Sequence, residues 1–292
     1  MITMNEIWNQ HPLYIPATKT TPAMWASSAT RTFFRGRLDS GGRYFGSWSN
    51  RQSYLRGQMQ IDKEPIAHID INACQPTLLS SLYGEKLNLG GATTWQDLYG
   101  LIVDLYLPEF LNSSDPFKVQ RKKLKAVTTE LIGYGSAEKQ KPSTDTVRKF
   151  NVPNQKNRFP EEWDAYKAAL MAAVPAMRHL NQDYINGPGL LTFHESEALR
   201  KTMSNLAALG IPSYPMHDCI IVKQSDVDTA LPIYQQSVRK QIKEFCASRR
   251  RARIDVIVPM SIETWSSKDP SSTSGEQQDW EMNKQIVPGK YA

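Results

Sequence analysis

The sequence predicts an α+β fold in which an antiparallel sheet packs on helices, on the strength of two strand-like stretches and several helical stripes. Ser213 to Lys223, read as SYPMHDCIIVK, sets apolar and β-favouring residues on both sides of His217-Asp218. Gly210-Ile211-Pro212 breaks the chain just before it, so the stretch reads as strand, tight turn, strand, with a carboxylate at the tip. Ile66 to Ile71 reads as a mostly buried strand ending on Asp70 and Asn72. The stretches between and after these two show apolar residues at helical spacing.

In chain order, residues 1–28 hold polar turns around Pro12 and a Thr-rich KTTPA, and read as an irregular arm. From Arg31, arginines interleave with Phe33, Phe34, Tyr44, Phe45, Trp48 and Tyr54. These aromatics either stack on single-stranded bases beside phosphate-binding arginines or form core while the arginines reach for solvent. Pro76 to Leu82 starts a helix behind the Asp70 strand, and Trp95 to Tyr106 is a core helix stopped by Pro108. Asp115 can cap and Pro116 can open a helix that runs to about Ile132, before Gly133-Tyr134-Gly135. Residues 136–160 are polar, rich in lysine and punctuated by proline, and read as a loop.

Glu161 to Tyr184 is an amphipathic helix that Pro175 should kink. His194 to Leu209 is another helix, with Gly210 as its stop. Glu195 and Glu197 fall near its positive start, where capping is the ordinary use of an acid, although they could also lend a further carboxylate. Ser225-x-x-Asp228 resembles a capping signal ahead of a stripe of Leu231, Tyr234, Val238, Ile242 and Phe245. Arg253 to Glu263 reads as a last strand, and the Ser, Gly, Gln and Lys content from Ser266 predicts a disordered tail. The organisation is an arm (1–28), one unit (29–265) and a tail (266–292).

Composition narrows the function. The 292 residues are 40% hydrophobic, enough to bury one substantial core, and carry a net charge of +6. The charge is clustered: six arginines lie between Arg31 and Arg56 against one acid, Asp39, with further clusters at Lys118–Lys125 and Arg239–Arg253. Separated basic patches suit a polyanion running across a surface, or are solvated helix faces. Cys74, Cys219 and Cys246 are isolated, which argues against a disulfide framework or a Cys-rich zinc site. The five histidines show no paired ligand spacing. No signal peptide opens the chain, and no run approaches the roughly 18 apolar residues of a membrane span. A cytoplasmic protein without a membrane partner is expected.

An acid at a hairpin tip can be a simple turn former. It gains another use if a second acid joins it, because Mg²⁺ takes oxygen ligands from one or two carboxylates plus substrate phosphates. Asp70 is the candidate second acid. Two strands that each deliver one Asp to the same sheet edge make a two-metal phosphoryl-transfer site. Arg121, Lys122, Lys123 and Lys125 precede Gly133-Tyr134-Gly135 on one helix, with Arg121 and Lys125 four apart on a shared face. The order is acid strand, basic helix, acid hairpin.

These three blocks, HIDIN, RKKLKAVTTELIGYG and MHDCII, resemble in order and character the motifs of the family A DNA polymerases and the related single-subunit phage-type RNA polymerases. The segment RTFFRGRLDSGGRYFG with the acid strand also resembles polymerase-like proteins of phages and mobile elements. The resemblance implies a palm-like sheet with a short helical fingers region at about 90–160, and template-directed nucleotide addition of the DNA polymerase or primase kind. It implies Asp70, Asp218 and the carbonyl of Ile71 as ligands of two Mg²⁺ ions, for which Mn²⁺ can substitute. Arg121 and Lys125 would grasp the triphosphate, Tyr134 would stack near the nascent base pair, and His217 would position the primer terminus or fix the turn. The expected partners are a DNA template and primer, nucleoside triphosphates, and a helicase or processivity factor, because a full thumb and an exonuclease domain are not in evidence in the sequence. Glu195 or Glu197 could bind a primer-side group, and Arg35, Arg43 and Arg56 are the candidate nucleic-acid contacts.

The chain departs from the family in two places. Lys125 lies nine residues before Tyr134 instead of eight, which turns a helix by about 100°; either a bulge absorbs the extra residue or Lys122 or Lys123 does part of the work. Five residues past Asp70, where the DNA polymerases place Glu and the RNA polymerases Gly, stands Gln75, nearer to Glu in bulk. Two other readings share the same residues. One is a catalytically inactive, polymerase-derived nucleic-acid-binding factor of replication or defence, and the other is a metal-dependent nuclease.

Overall fold

The computed structural model describes residues 4–34, 36–51, 53–111, 116–150, 159–181, 187–251, 254–267 and 280–291. The fold is α+β, with antiparallel sheets packed on helices.

Residues 4–26 correct the expected irregular arm. Helix α1 (Met4–Gln10) is followed by strands β1 (Leu13–Ile15) and β2 (Met24–Ala26). Ile7, Trp8, Leu13 and Ile15 are buried in the core, so short elements with few periods are held by tertiary burial. Strands β3 (Ala29–Phe33) and β4 (Gly41–Gly46) make a separate two-stranded ribbon. Its aromatics divide: Tyr44 and the following Trp48 are buried, while Phe34 and Phe45 are exposed.

Strands β5 (Gln60–Ile61) and β6 (Glu64–Ile71) lead to α2 (Cys74–Tyr83). Ala73, at φ 49° in the left-handed region, turns the chain from strand to helix immediately after Asn72. Trp95 belongs to strand β7 (Thr94–Trp95), and the helix expected from it begins later, as α3 (Leu98–Tyr106). A single turn, α4 (Pro108–Leu111), precedes α5 (Phe117–Tyr134), whose N-cap position is Pro116; Asp115 lies outside the described residues.

The expected loop at 136–160 contains α6 (Thr144–Lys149), capped by Ser143, whose Oγ accepts from Thr146 N. Helix α7 (Phe159–Ala173) ends before Pro175 and gives way to a 3₁₀ segment, Pro175–Asn181, so the proline ends the helix instead of kinking it. Helix α8 (Gly187–Ala208) starts earlier than expected, which leaves Glu195 and Glu197 in its interior and removes the capping role expected for them. The predicted hairpin is present as β8 (Tyr214–Met216) and β9 (Cys219–Lys223), followed by α9 (Val227–Ser248).

The expected last strand divides into β10 (Val256–Ile257) and β11 (Met260–Ser267). The expected disordered tail contains β12 (Trp280–Val287), which pairs with β11 along its length, and β13 (Gly289–Tyr291), which pairs with β10 and β7. Around the candidate site the strand order is β12-β11-β6-β9-β8, all antiparallel. Asp70 stands in register with Cys219 on one side and Ser261 on the other, at the edge where the Asp218 turn also ends.

Candidate active site

Asp70 and Asp218 line one cavity of about 490 Å³, together with Ile71, Gln75, Arg43, Arg121 and Lys125. The register explains the two acids: Asp70 pairs with Cys219, the residue that follows Asp218. The turn itself is constrained. His217 has φ 59°, a conformation that costs a non-glycine residue energy, and the Tyr234 hydroxyl donates to the Asp218 carbonyl at 2.7 Å. Two tryptophans fasten the incoming strand, with Trp8 Nε1 donating to Ser213 O and Trp48 Nε1 to Pro215 O, each at 2.7 Å.

The acids are held where water is scarce. Burial, then the charge of Asp218 and of Glu263, push the Asp70 carboxyl well above the usual carboxylate range, and burial raises Asp218 as well. Asp70 Oδ1 is buried without a hydrogen-bond partner, a costly state for an acceptor. An oxygen-seeking cation would satisfy it, so the residues fit Mg²⁺. Cys74, Glu195 and Asp218 also bring one ligand atom each to within 4.8 Å of one another. Burial and the neighbouring acids hold the Cys74 thiol protonated, so the useful donors of that group are its carboxylates.

Glu195 is fully buried and receives a bidentate pair from Arg43, Nε to Oε1 at 2.8 Å and Nη2 to Oε2 at 3.0 Å. Burial, and next the Asp218 charge, lift its carboxyl to about 7 against the pull of Arg43 and of a hydrogen bond from Gln75. A parallel contact joins Arg31 Nη2 to Glu197 at 2.6 Å, with Arg200 on the same carboxylate. Together these tie the β3–β4 ribbon to α8. Neither pair has a local signal in the sequence, because the partners are 152 and 166 positions apart.

Helix α5 presents Arg121, Lys125, Thr128, Thr129 and Ile132 to the cavity, a single face at helical spacing. Arg121 Nε donates to Asp97 at 2.5 Å, a partner the sequence reading missed. The helix is continuous α from Phe117 to Tyr134, so no bulge absorbs the extra residue. Lys123 is buried and donates to Glu162 at 2.5 Å, which removes it as a substrate contact. Lys122 lines a second cavity with Lys149 and Phe150. Nine residues at about 100° each set Tyr134 half a turn from Lys125; it is 63% exposed, carries Lys139 over its ring at 4.5 Å and does not line the cavity. Arg56 also stands off the wall, 4.0 Å from Glu263, and Arg35 lies outside the described residues. Glu263 and Lys284 also line the cavity, and neither was singled out from sequence.

No protein-family model matches the chain, and no curated protein sequence matches it. Among solved structures, the POL domain of Pol1 from M. smegmatis, in complex with DNA primer-template and dNTP, is similar over 77% of this chain and 46% of that one. The identity is 11% and the TM-score 0.44. The chain thus spans about half the length of that domain. Among the described residues, no helix is long and apolar enough to cross a membrane.

Proposed function

We propose that the chain is a template-directed nucleotidyltransferase that adds nucleotides to a 3′-hydroxyl, of the DNA polymerase or primase kind. One observation carries the reading: an acid on strand β6, with an orphaned oxygen, and an acid in the β8–β9 turn share a cavity of nucleotide size with the Arg121–Lys125 face of a helix. Asp70, Asp218 and the Ile71 carbonyl would hold Mg²⁺, which supplies activation of a hydroxyl and neutralisation of charge at the reacting phosphate. In the reaction the hydroxyl oxygen attacks the α-phosphorus, the bond from that phosphorus to the α–β bridging oxygen breaks, pyrophosphate leaves and the hydroxyl proton passes to water.

The side chains divide the remaining work. Lys125 and the free donors of Arg121 bind the phosphates and stabilise the charge that develops on the leaving group. Arg43, fixed by Glu195, presents its guanidinium toward the strand that carries the hydroxyl. His217 holds the turn and the strand end; burial, then Arg43, keep its imidazole below its ordinary pKa, so it acts as a neutral hydrogen-bonding group. Gln75, anchored to Glu195, crowds the sugar and favours deoxyribonucleotides.

Pyrophosphate release from dNTPs on a primed DNA template, with Mg²⁺, tests this. Asp70→Asn and Asp218→Asn are expected to lower release by about 10²–10³-fold while DNA binding persists, the scale of losing a group that stabilises transition-state charge. Release retained by both variants contradicts the assignment. The outward turn of Tyr134 and the Asp97 contact of Arg121 favour a second reading, a polymerase-derived protein that only binds nucleic acid. Such a protein binds DNA equally with and without Mg²⁺ and releases no pyrophosphate.

A further inference from the structure

Lys284 lies on β12, in the part of the chain whose composition predicts disorder, yet it lines the same cavity as Asp70, Asp218 and Lys125. It stands in register with Glu263, and its Nζ is 3.0 Å from Glu263 Oε1. The lysine side chain is 40% exposed and the glutamate 17%, so the pair is anchored at the glutamate and open at the lysine. The charge of Lys284 also reaches Asp70, whose carboxyl it lowers against the stronger effect of burial.

The strand order gives this position a direction. The Asp218 turn is on one side of β6 and the β11–β12 pair is on the other. In phosphoryl transfer the attacking and leaving oxygens are roughly in line. A hydroxyl held between Asp70 and Asp218 would send the leaving phosphates past Asp70, on the side of β11 and β12. Lys125 and Arg121 from α5 and Lys284 from β12 are cations that line this cavity.

We propose that Lys284 binds the terminal phosphates of a nucleoside triphosphate, with Glu263 holding the lysine in position until the phosphates replace it as partner. The inference rests on the nucleotidyltransferase reading above and adds a residue to it. A plain structural use is also available to the pair, because a charged cross-strand contact on an edge strand adds a little stability and discourages edge pairing.

Equilibrium titration of the full-length protein with dATP, dAMP and inorganic pyrophosphate, in Mg²⁺, separates the two uses. Lys284→Gln is expected to weaken dATP and pyrophosphate about tenfold, the value of one charge-assisted contact, and to leave dAMP unchanged. Lys284→Arg should restore most of the loss. Glu263→Gln removes the cross-strand pair but leaves the lysine, so dATP should bind as well or more tightly; a merely structural pair makes Glu263→Gln and Lys284→Gln fail alike. The inference is overturned by equal dATP affinity in wild type and Lys284→Gln, by equal losses for dATP and dAMP, or by a wild type that does not prefer dATP to dAMP. A wild type that binds dATP through Lys284 but never extends a primer refutes the polymerase reading and leaves the phosphate contact standing.

Discussion

His194, on α8, is 5% exposed and packs edge-on against Phe245. It shares one hydrogen bond with Gln241, while its Nε2 has no partner. Burial pushes its pKa down to about 4, with Lys201 and Arg249 adding to the effect and Glu197 opposing it. Burial pushes His68 down to about 3, helped by Arg56. Both rings are therefore neutral in the fold and gain a proton on unfolding wherever the pH is below the ordinary histidine value. The unfolded chain binds more protons, so these groups destabilise the fold as pH falls from about 6.5 to 4. The contribution from His194 is on the order of 3 kcal/mol across that window. Denaturant midpoints measured from pH 7 to pH 4 should fall for the wild type and fall less for His194→Gln; parallel slopes would show that His194 is not the titrating group. Nothing in the sequence marks His194 as buried, because burial there depends on α9, whose Gln241 is 47 positions away.

At the scale of elements, the β8–β9 hairpin is held by three side chains from elsewhere: Trp8, Trp48 and Tyr234. Gly46 belongs to this support, since a Cβ there would meet the Trp48 ring, whereas a Cβ on Gly133 in α5 would meet nothing within 4 Å. The same substitution should act with opposite sign at the two places. Gly46→Ala is expected to destabilise by about 1–3 kcal/mol through overpacking, and Gly133→Ala to stabilise by up to about 1 kcal/mol through helix propensity. Thermal unfolding of both variants checks this, and loss at Gly133 or neutrality at Gly46 would contradict the packing described. The hairpin, β6 and α5 were legible because each carries its own signal: a turn between β-favouring runs, a continuous apolar run, a helical period. Strands β1, β2 and β12 were not. The first two have three residues each, and β12 spaces Trp280, Met282 and Ile286 among Glu, Lys and Gln, so its order comes from pairing with β11.

At the scale of the molecule, the chain draws one cavity from segments spread between Arg43 and Lys284. Sequence reasoning reached Asp70, Ile71, Gln75, Arg121, Lys125 and Asp218 because each sits in a short block with a recognisable pattern, and Arg43 from its place in an arginine cluster. Asp97, Glu263 and Lys284 were not singled out, and the pairing of Glu195, itself named as a possible further acid, with Arg43 has no local pattern to announce it. Tyr134 shows the converse, a patterned residue that one extra helical position turns outward.

The most direct measurement is extension of a labelled primer, in Mg²⁺, on DNA templates that differ only at the templating base, with an unprimed template alongside. The expected result is addition of the complementary deoxynucleotide in each case and its loss in Asp218→Asn. Addition that ignores the templating base, or no product from a folded protein that binds the template, would contradict the account.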